Sequence, residues 1–230
     1  MRHVIGLAVA LVAIAAVPSF AQEVVETTNA KGYVSGFAGA ASAGGNSTGS
    51  VLLEGGARVA PHVMVFGNIG RFANLQADLQ PTLDSTTNAL NTEGVGVTGS
   101  GTLPAWYGIV GLRAEAPVSK HALPYVLGGI GTARLNPTPQ FMFSSGALPD
   151  GTTPDVGTDV TSSLVSAGSI TAPAASNAFM FTLGGGVQVP VVSRWAADVG
   201  YRYSRIAADT TLSAAALNTN VVTFGIGYRF

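Results

Sequence analysis

The chain has 230 residues, of which 10% are charged and 47% hydrophobic, with 30 glycines, no cysteine and a formal net charge of −1. An ordinary soluble domain carries roughly 25% charged residues and about 7% glycine. Zero cysteine excludes a disulfide framework, a thiolate metal site and a lipidated N-terminal cysteine, and the near-neutral balance excludes a basic field for nucleic acid.

Met1-Arg2-His3 is a short basic head, residues 4–17 are an apolar run, Pro18 ends it, and Ser19-Phe20-Ala21 supplies small residues at a cleavage site. This pattern predicts a signal peptide over 1–21, because fourteen apolar residues are too few to span a bilayer comfortably. Its removal takes away Arg2 and leaves ten Lys/Arg against twelve Asp/Glu, a balance of −2. Residues 22–30 are polar and read as a loose lead-in. After residue 21 no stretch reaches the ~18 apolar residues of a membrane helix.

From Lys31 the hydrophobic period is two, the period of strands. The first predicted strand, 31–42, sets Tyr33 and Phe37 on one face, taken as the outer face, and small residues on the other. The second, 50–60, sets Leu53, Gly55, Ala57 and Val59 against Glu54, Gly56 and Arg58. A turn at Ala60-Pro61-His62 leads to the third, 63–73, whose two parities each carry a polar residue, Arg71 or Asn68. A bulge at Gly67 would reconcile them. A long polar segment, 74–103, follows.

The fourth strand, 104–116, alternates Trp106, Gly108, Val110 and Leu112 with Tyr107, Ile109, Gly111, Arg113 and Glu115. A turn at 117–122 leads to the fifth, 123–135, with Tyr125 and Leu127 read as outward and Thr132 and Arg134 as inward. A Pro-, Gly-, Ser-, Thr- and Asp-rich segment, 136–176, separates it from the sixth. That strand, 177–189, sets Phe179, Phe181, Leu183, Val187 and Val189 against Thr182, Gly184, Gly186 and Gln188. After a turn at 190–194, the seventh, 195–206, alternates Trp195, Ala197, Val199, Tyr201 and Tyr203 with Asp198, Gly200, Arg202 and Ser204. The closing strand, 220–230, presents Val222, Phe224, Ile226, Tyr228 and Phe230 on one face and Val221, Thr223, Gly225, Gly227 and Arg229 on the other.

Eight strands of about membrane-crossing length, joined by alternating short and long connections, predict an all-β fold: an antiparallel up-and-down transmembrane barrel over 31–230. Short turns and chain ends then share one side. Tyr33, Tyr125, Trp195, Tyr228 and Phe230 are placed in one aromatic girdle, and Trp106, Phe179, Phe181, Tyr201 and Tyr203 in the other. On this pattern, the Pro-Tyr-Val-Leu-Gly-Gly-Ile-Gly run at 124–131 and the terminal Tyr-Arg-Phe, the chain resembles the eight-stranded OmpA-type barrels and opacity-like outer-membrane surface antigens. The resemblance covers 31–230, without the peptidoglycan-binding domain that often follows such a barrel. It implies export to the outer membrane, contact with outer-membrane lipid and lipopolysaccharide, and an assembly signal in Phe224, Ile226, Tyr228 and Phe230 read by the barrel assembly machinery.

The predicted inner face collects Glu54, Arg58, Arg113, Glu115, Arg134, Gln188, Asp198, Arg202 and Arg229. An eight-stranded barrel is just wide enough for side chains to fill, and buried charges must be paired. A lumen plugged by a polar network of Glu54, Arg58, Arg113, Glu115, Asp198 and Arg202 is therefore expected, against the alternative of a small ion or solute channel. A soluble secreted barrel holding an apolar ligand fits less well, since it would turn its aromatics to a cavity. His62 and His121 fall in turns without catalytic or metal-ligand partners in the sequence, so neither enzymatic activity nor a cofactor or metal is predicted. The Gly184-Gly185-Gly186 run reads as wall positions that leave room for bulky inward groups. The outer loops hold Asp78, Asp84, Glu93, Asp150, Asp155, Asp159 and Asp209 without Lys or Arg, suiting a solvated or partner-binding surface. Arg71 and Arg205, at strand ends near the outer rim, are candidates for lipopolysaccharide phosphates.

Overall fold

The computed structural model describes residues 30–75, 79–116, 118, 122–171, 174–192, 194–207 and 216–230. The signal-peptide reading and His121 lie outside the described residues. In chain order the elements are β1 (Gly32–Ala43), β2 (Asn46–Ala60), β3 (Val63–Phe72), α1 (Gln80–Thr92), β4 (Val95–Thr102), β5 (Ala105–Glu115), β6 (Leu123–Leu135), β7 (Thr138–Gly146), α2 (Thr161–Ser166), β8 (Ser176–Val192), β9 (Trp195–Ile206) and β10 (Leu217–Arg229). Among the described residues no helix is long and apolar enough to cross a membrane.

Eight strands close into an antiparallel barrel in the order β1-β10-β9-β8-β6-β5-β3-β2. Closure joins the first strand to the last, with Tyr33 opposite Arg229 and Ala43 opposite Thr219. The amides of Lys31 and Gly32 donate to the Phe230 carbonyl at 2.6 and 2.9 Å, and the Phe230 amide donates to Gly32 at 3.0 Å. A closed ladder leaves no edge strand, the condition for a sheet in a bilayer. At one end β1 turns into β2 through Gly44 and Gly45, both at positive φ, as a two-residue hairpin with the right-handed twist requires.

β3 alternates without a bulge at Gly67. Met64, Phe66, Asn68 and Phe72 point inward, and Val65, Ile69 and Arg71 outward. Asn68 is tolerated inside because its Nδ2 donates to Glu54 Oε2 at 3.3 Å. The register shift lies instead between Arg58 and Ala60 of β2, next to the turn.

The facings of β2, β5, β8, β9 and β10 agree with the period-two reading, whereas those of β1 and β6 are opposite to it. Tyr33, Phe37, Tyr125 and Leu127 are buried in the lumen, and Arg134 is exposed on the outer wall. The physical reason lies in the partner strands. Tyr33 stands directly across from Gly56 and Tyr125 from Gly186, so each ring fills space that the glycine leaves. A Cβ at Gly56 would collide with the Tyr33 ring, and one at Gly186 would lie 2.6 Å from the Tyr125 hydroxyl.

The two long segments are not structureless. β4 pairs with β7 antiparallel, α1 packs on β4, and α2 lies against β7, forming a cap at the end of the barrel opposite the chain termini. Its own core contains Leu83 and Leu90 of α1, Val95 and Val97 of β4, Phe141 and Phe143 of β7, and Leu164 of α2. Pro81 suits the start of α1, where its missing N–H removes no intrahelical bond. Backbone bonds from Leu75 to Leu103 (2.8 Å) and Asn136 to Pro104 (3.0 Å) tie the cap to the barrel strands.

Candidate functional site

The lumen is layered. In the half nearer the chain termini, Arg113 on β5 is fully buried and lies within 3.2–3.8 Å of three carboxylates, Glu115, Glu54 and Asp198. Its guanidinium also lies between two rings, with the Tyr125 centroid at 3.6 Å and the Tyr33 centroid at 4.9 Å. Each tyrosine serves a second partner. The Tyr33 hydroxyl donates to Glu54 Oε1 at 2.8 Å, and that of Tyr125 donates to Asp198 Oδ1 at 2.7 Å. Arg113 is therefore held by charge and π-faces more than by directed hydrogen bonds, of which the one to a described residue runs to Gln188 at 3.5 Å.

Arg202 Nη1 on β9 reaches across to Glu54 Oε2 on β2 at 2.7 Å, and its guanidinium lies 5.1 Å from the Phe37 ring centroid. Arg229 on β10 bonds Glu115 Oε2 at 2.7 Å, with Arg58 at 4.0 Å from the same oxygen. Arg58 also donates from Nε to the Ala30 carbonyl at 3.0 Å. Four cations and three carboxylates thus form one connected set with Arg113 at its centre. Opposite signs alternate through it, unlike the single-sign ring of a selectivity filter.

The half nearer the cap carries no buried charge among the described residues. Phe72, Tyr107, Met180, Ile206 and Leu217 belong to the barrel's buried apolar cluster there, with the Phe72 and Tyr107 rings 4.9 Å apart and Ser50, Thr182, Ser204 and Thr219 buried beside them. Between the layers, a void of ≈10 Å³ is lined by Asn68, Thr182, Arg202 and Ser204. That is room for about one water.

Of the residues expected in the lumen, the structure brings together Glu54, Arg58, Arg113, Glu115, Gln188, Asp198, Arg202 and Arg229, and places Arg134 elsewhere. Tyr33, Tyr125 and the apolar layer were missing from that expectation. A signal existed: small inward residues at the cross-strand positions, Gly56 and Gly186, call for large inward neighbours. Among the described residues no group of three His, Cys, Asp or Glu side chains could hold a metal ion, and His62 is an exposed turn residue at positive φ.

Phe224, Ile226 and Phe230 are exposed on the outer wall, and Tyr228 packs edge-on against Trp195 with centroids 5.3 Å apart. Arg71, Arg134 and Arg205 all point outward, Arg71 with its guanidinium 5.6 Å from the Trp106 ring centroid.

Comparison with known proteins agrees with this architecture. Neisserial surface protein A is similar in structure, with a TM-score of 0.53 at 15% identity over 87% of this chain and 97% of that one. Ail, the attachment invasion locus protein of Yersinia pestis, gives 0.45 at 13% identity over 86% and 97%. The N-terminal barrel of Pseudomonas aeruginosa OprF gives 0.45 at 9% over 86% and 97%. No protein of curated function matches the sequence. The profile of the outer membrane protein beta-barrel domain family matches residues 7–230, and with the closed eight-stranded barrel it establishes that the chain is a member of that family, located in the outer membrane.

Proposed function

We propose that the protein is a closed barrel that holds a folded cap at the cell surface, in an envelope-structural or surface-interaction role, without catalysis or a solute path. The observation that carries this reading is the layered lumen. An ion network joins β2, β5, β9 and β10, apolar side chains with a few buried hydroxyls fill the lumen towards the cap, and a void between them has room for about one water. The cap suits presentation because a core of its own gives it a defined surface. The outward positions of its sheet include Thr98, Ser100, Gln140 and Ser144. Its charges, Asp84, Glu93, Asp150, Asp155 and Asp159, share one sign, which favours a neutral or cationic partner over an anionic one.

The natural chain has no cysteine, so a single introduced thiol reports one position. With Thr98→Cys in the cap, a membrane-impermeant maleimide should label intact cells. With Val118→Cys in the opposite turn, labelling should require permeabilised cells. The reverse pattern would overturn surface presentation.

A further inference from the structure

Three outward side chains form a row on neighbouring strands at the cap end of the barrel. Arg71 of β3 is paired with Trp106 of β5, and Trp106 with Arg134 of β6. Two residues further into the wall the row is Ile69, Gly108 and Thr132, and two further still Gly67, Val110 and Ile130. Below the cationic row the wall is concave. A groove of ≈570 Å³ runs over Gly55, Gly67 and Gly108, flanked by Leu53, Ile69 and Val110.

These glycines are not demanded by packing within the barrel. A Cβ added at Gly55 would come no nearer than 3.6 Å to another atom, and at Gly67 or Gly108 no nearer than 3.9 Å. The ladder through them is regular, so they mark no bulge. Glycine inside a strand lowers its stability, and what remains to account for it is something that approaches the wall from outside.

The two arginines indicate what that is. Neither has an ion pair or hydrogen bond to another described residue, and Trp106 between them is 54% exposed. Two strand spacings separate Arg71 from Arg134 by about 10 Å. Arg71 lies over the indole, and Trp106 occupies the strand position between the two arginines, so the row offers two anion positions rather than one. Guanidinium forks suit phosphate, and an interfacial Trp suits the boundary between headgroup and acyl chain. We infer that Arg71, Trp106 and Arg134, with the groove below them, bind a diphosphorylated, acylated glycolipid of the outer leaflet, one phosphate at each arginine and one acyl chain along Gly108 and Gly67. Arg205, paired with Asn218 and Phe181, has no second arginine in its row and is not part of this site.

The inference rests on the cap facing the exterior, as proposed above. The cysteine labelling tests that orientation in cells, whereas the following measurement tests the site in isolation. The chain has two tryptophans, so Trp195→Phe leaves Trp106 as the reporter. Purified full-length protein in phosphatidylcholine nanodiscs would be titrated with diphosphorylated lipid A and with phosphatidylglycerol. Lipid A should shift Trp106 emission at roughly ten-fold lower content than phosphatidylglycerol, the second charged contact supplying the difference. R71Q/R134Q should abolish that preference, and R205Q should leave it intact. Gly108→Leu has space for its Cβ, so it should keep the heat-modifiable barrel while weakening lipid A binding. Equal response to the two lipids, or unchanged lipid A binding by R71Q/R134Q, would overturn the assignment.

Discussion

Arg202 and Glu54 lie 148 positions apart in the sequence, yet Arg202 Nη1 donates to Glu54 Oε2 at 2.7 Å across the lumen, from β9 to β2. Their side chains are 5% and 0% exposed. Removing Arg202 leaves the buried Glu54 carboxylate with only the looser Arg113 at 3.7 Å as a cationic partner among the described residues, at a cost of up to about 3–5 kcal/mol, whereas replacing both removes the liability. Arg202→Ala should therefore unfold at clearly lower urea in lipid vesicles, and Arg202→Met with Glu54→Gln should recover most of the loss. Equal destabilisation of the single and double variants would show that the pair is not the relevant unit.

Closure gives a second expectation. The last residue accepts two amides from the start of β1 and returns one, and its exposed ring stands with Phe224 and Ile226 on the outer wall. Deletion of Phe230 should leave the chain degraded or aggregated before insertion. Normal outer-membrane levels of the deletion variant would contradict an assembly role for this strand end.

The cap should melt separately from the barrel. Phe141 and Leu164 are 2% and 0% exposed within its core, and truncating such residues to alanine typically costs 2–5 kcal/mol. Phe141→Ala should speed proteolysis inside 136–171 while the barrel, closed between β1 and β10, still resists SDS and shifts mobility only on boiling. Simultaneous loss of heat modifiability would mean that cap and barrel form one cooperative unit.

Acid should loosen the same cap. Asp159 accepts from the Thr161 amide at 2.9 Å and its hydroxyl at 2.6 Å, and Asp150 accepts from Thr152 at 2.9 and 2.7 Å. The hydroxyl bonds, then the amide bonds, hold both carboxyls below the usual carboxylate range. A group depressed in the folded state stabilises it above the unfolded pKa, and that contribution fades as pH falls through the folded value, below about 4. Protection of the amides around 150–164, taken relative to intrinsic exchange at each pH, should fall as pH drops below the ordinary carboxylate value of about 4. Asp159→Asn with Asp150→Asn should flatten the change.

The parts of this fold legible in the sequence were those where one parity is apolar and the other polar, as in β5, with Val110 and Leu112 against Arg113 and Glu115. β1 and β6 were misread because an aromatic ring is at home both in a lipid girdle and inside a narrow barrel. What decides for Tyr33 is the glycine across from it, a fact of register that no single strand contains. Arg134 followed Tyr125 into error, since the two have opposite parity on one strand. The cap was illegible for a different reason. Its few apolar residues, such as Val97 and Phe141, sit on two segments far apart in sequence, and neither segment buries a face until β4 meets β7. Most of the charged network could be read from parity alone, whereas its hub could not: the three carboxylates around Arg113 come from β2, β5 and β9.

The claim on which the account turns is that the lumen conducts nothing. It is tested most directly by single-channel recording of the purified protein in planar bilayers. The layered lumen predicts a flat trace at moderate voltage, with no stable steps, for the wild type. Steady ohmic steps of uniform size would contradict the account and make the protein a small channel.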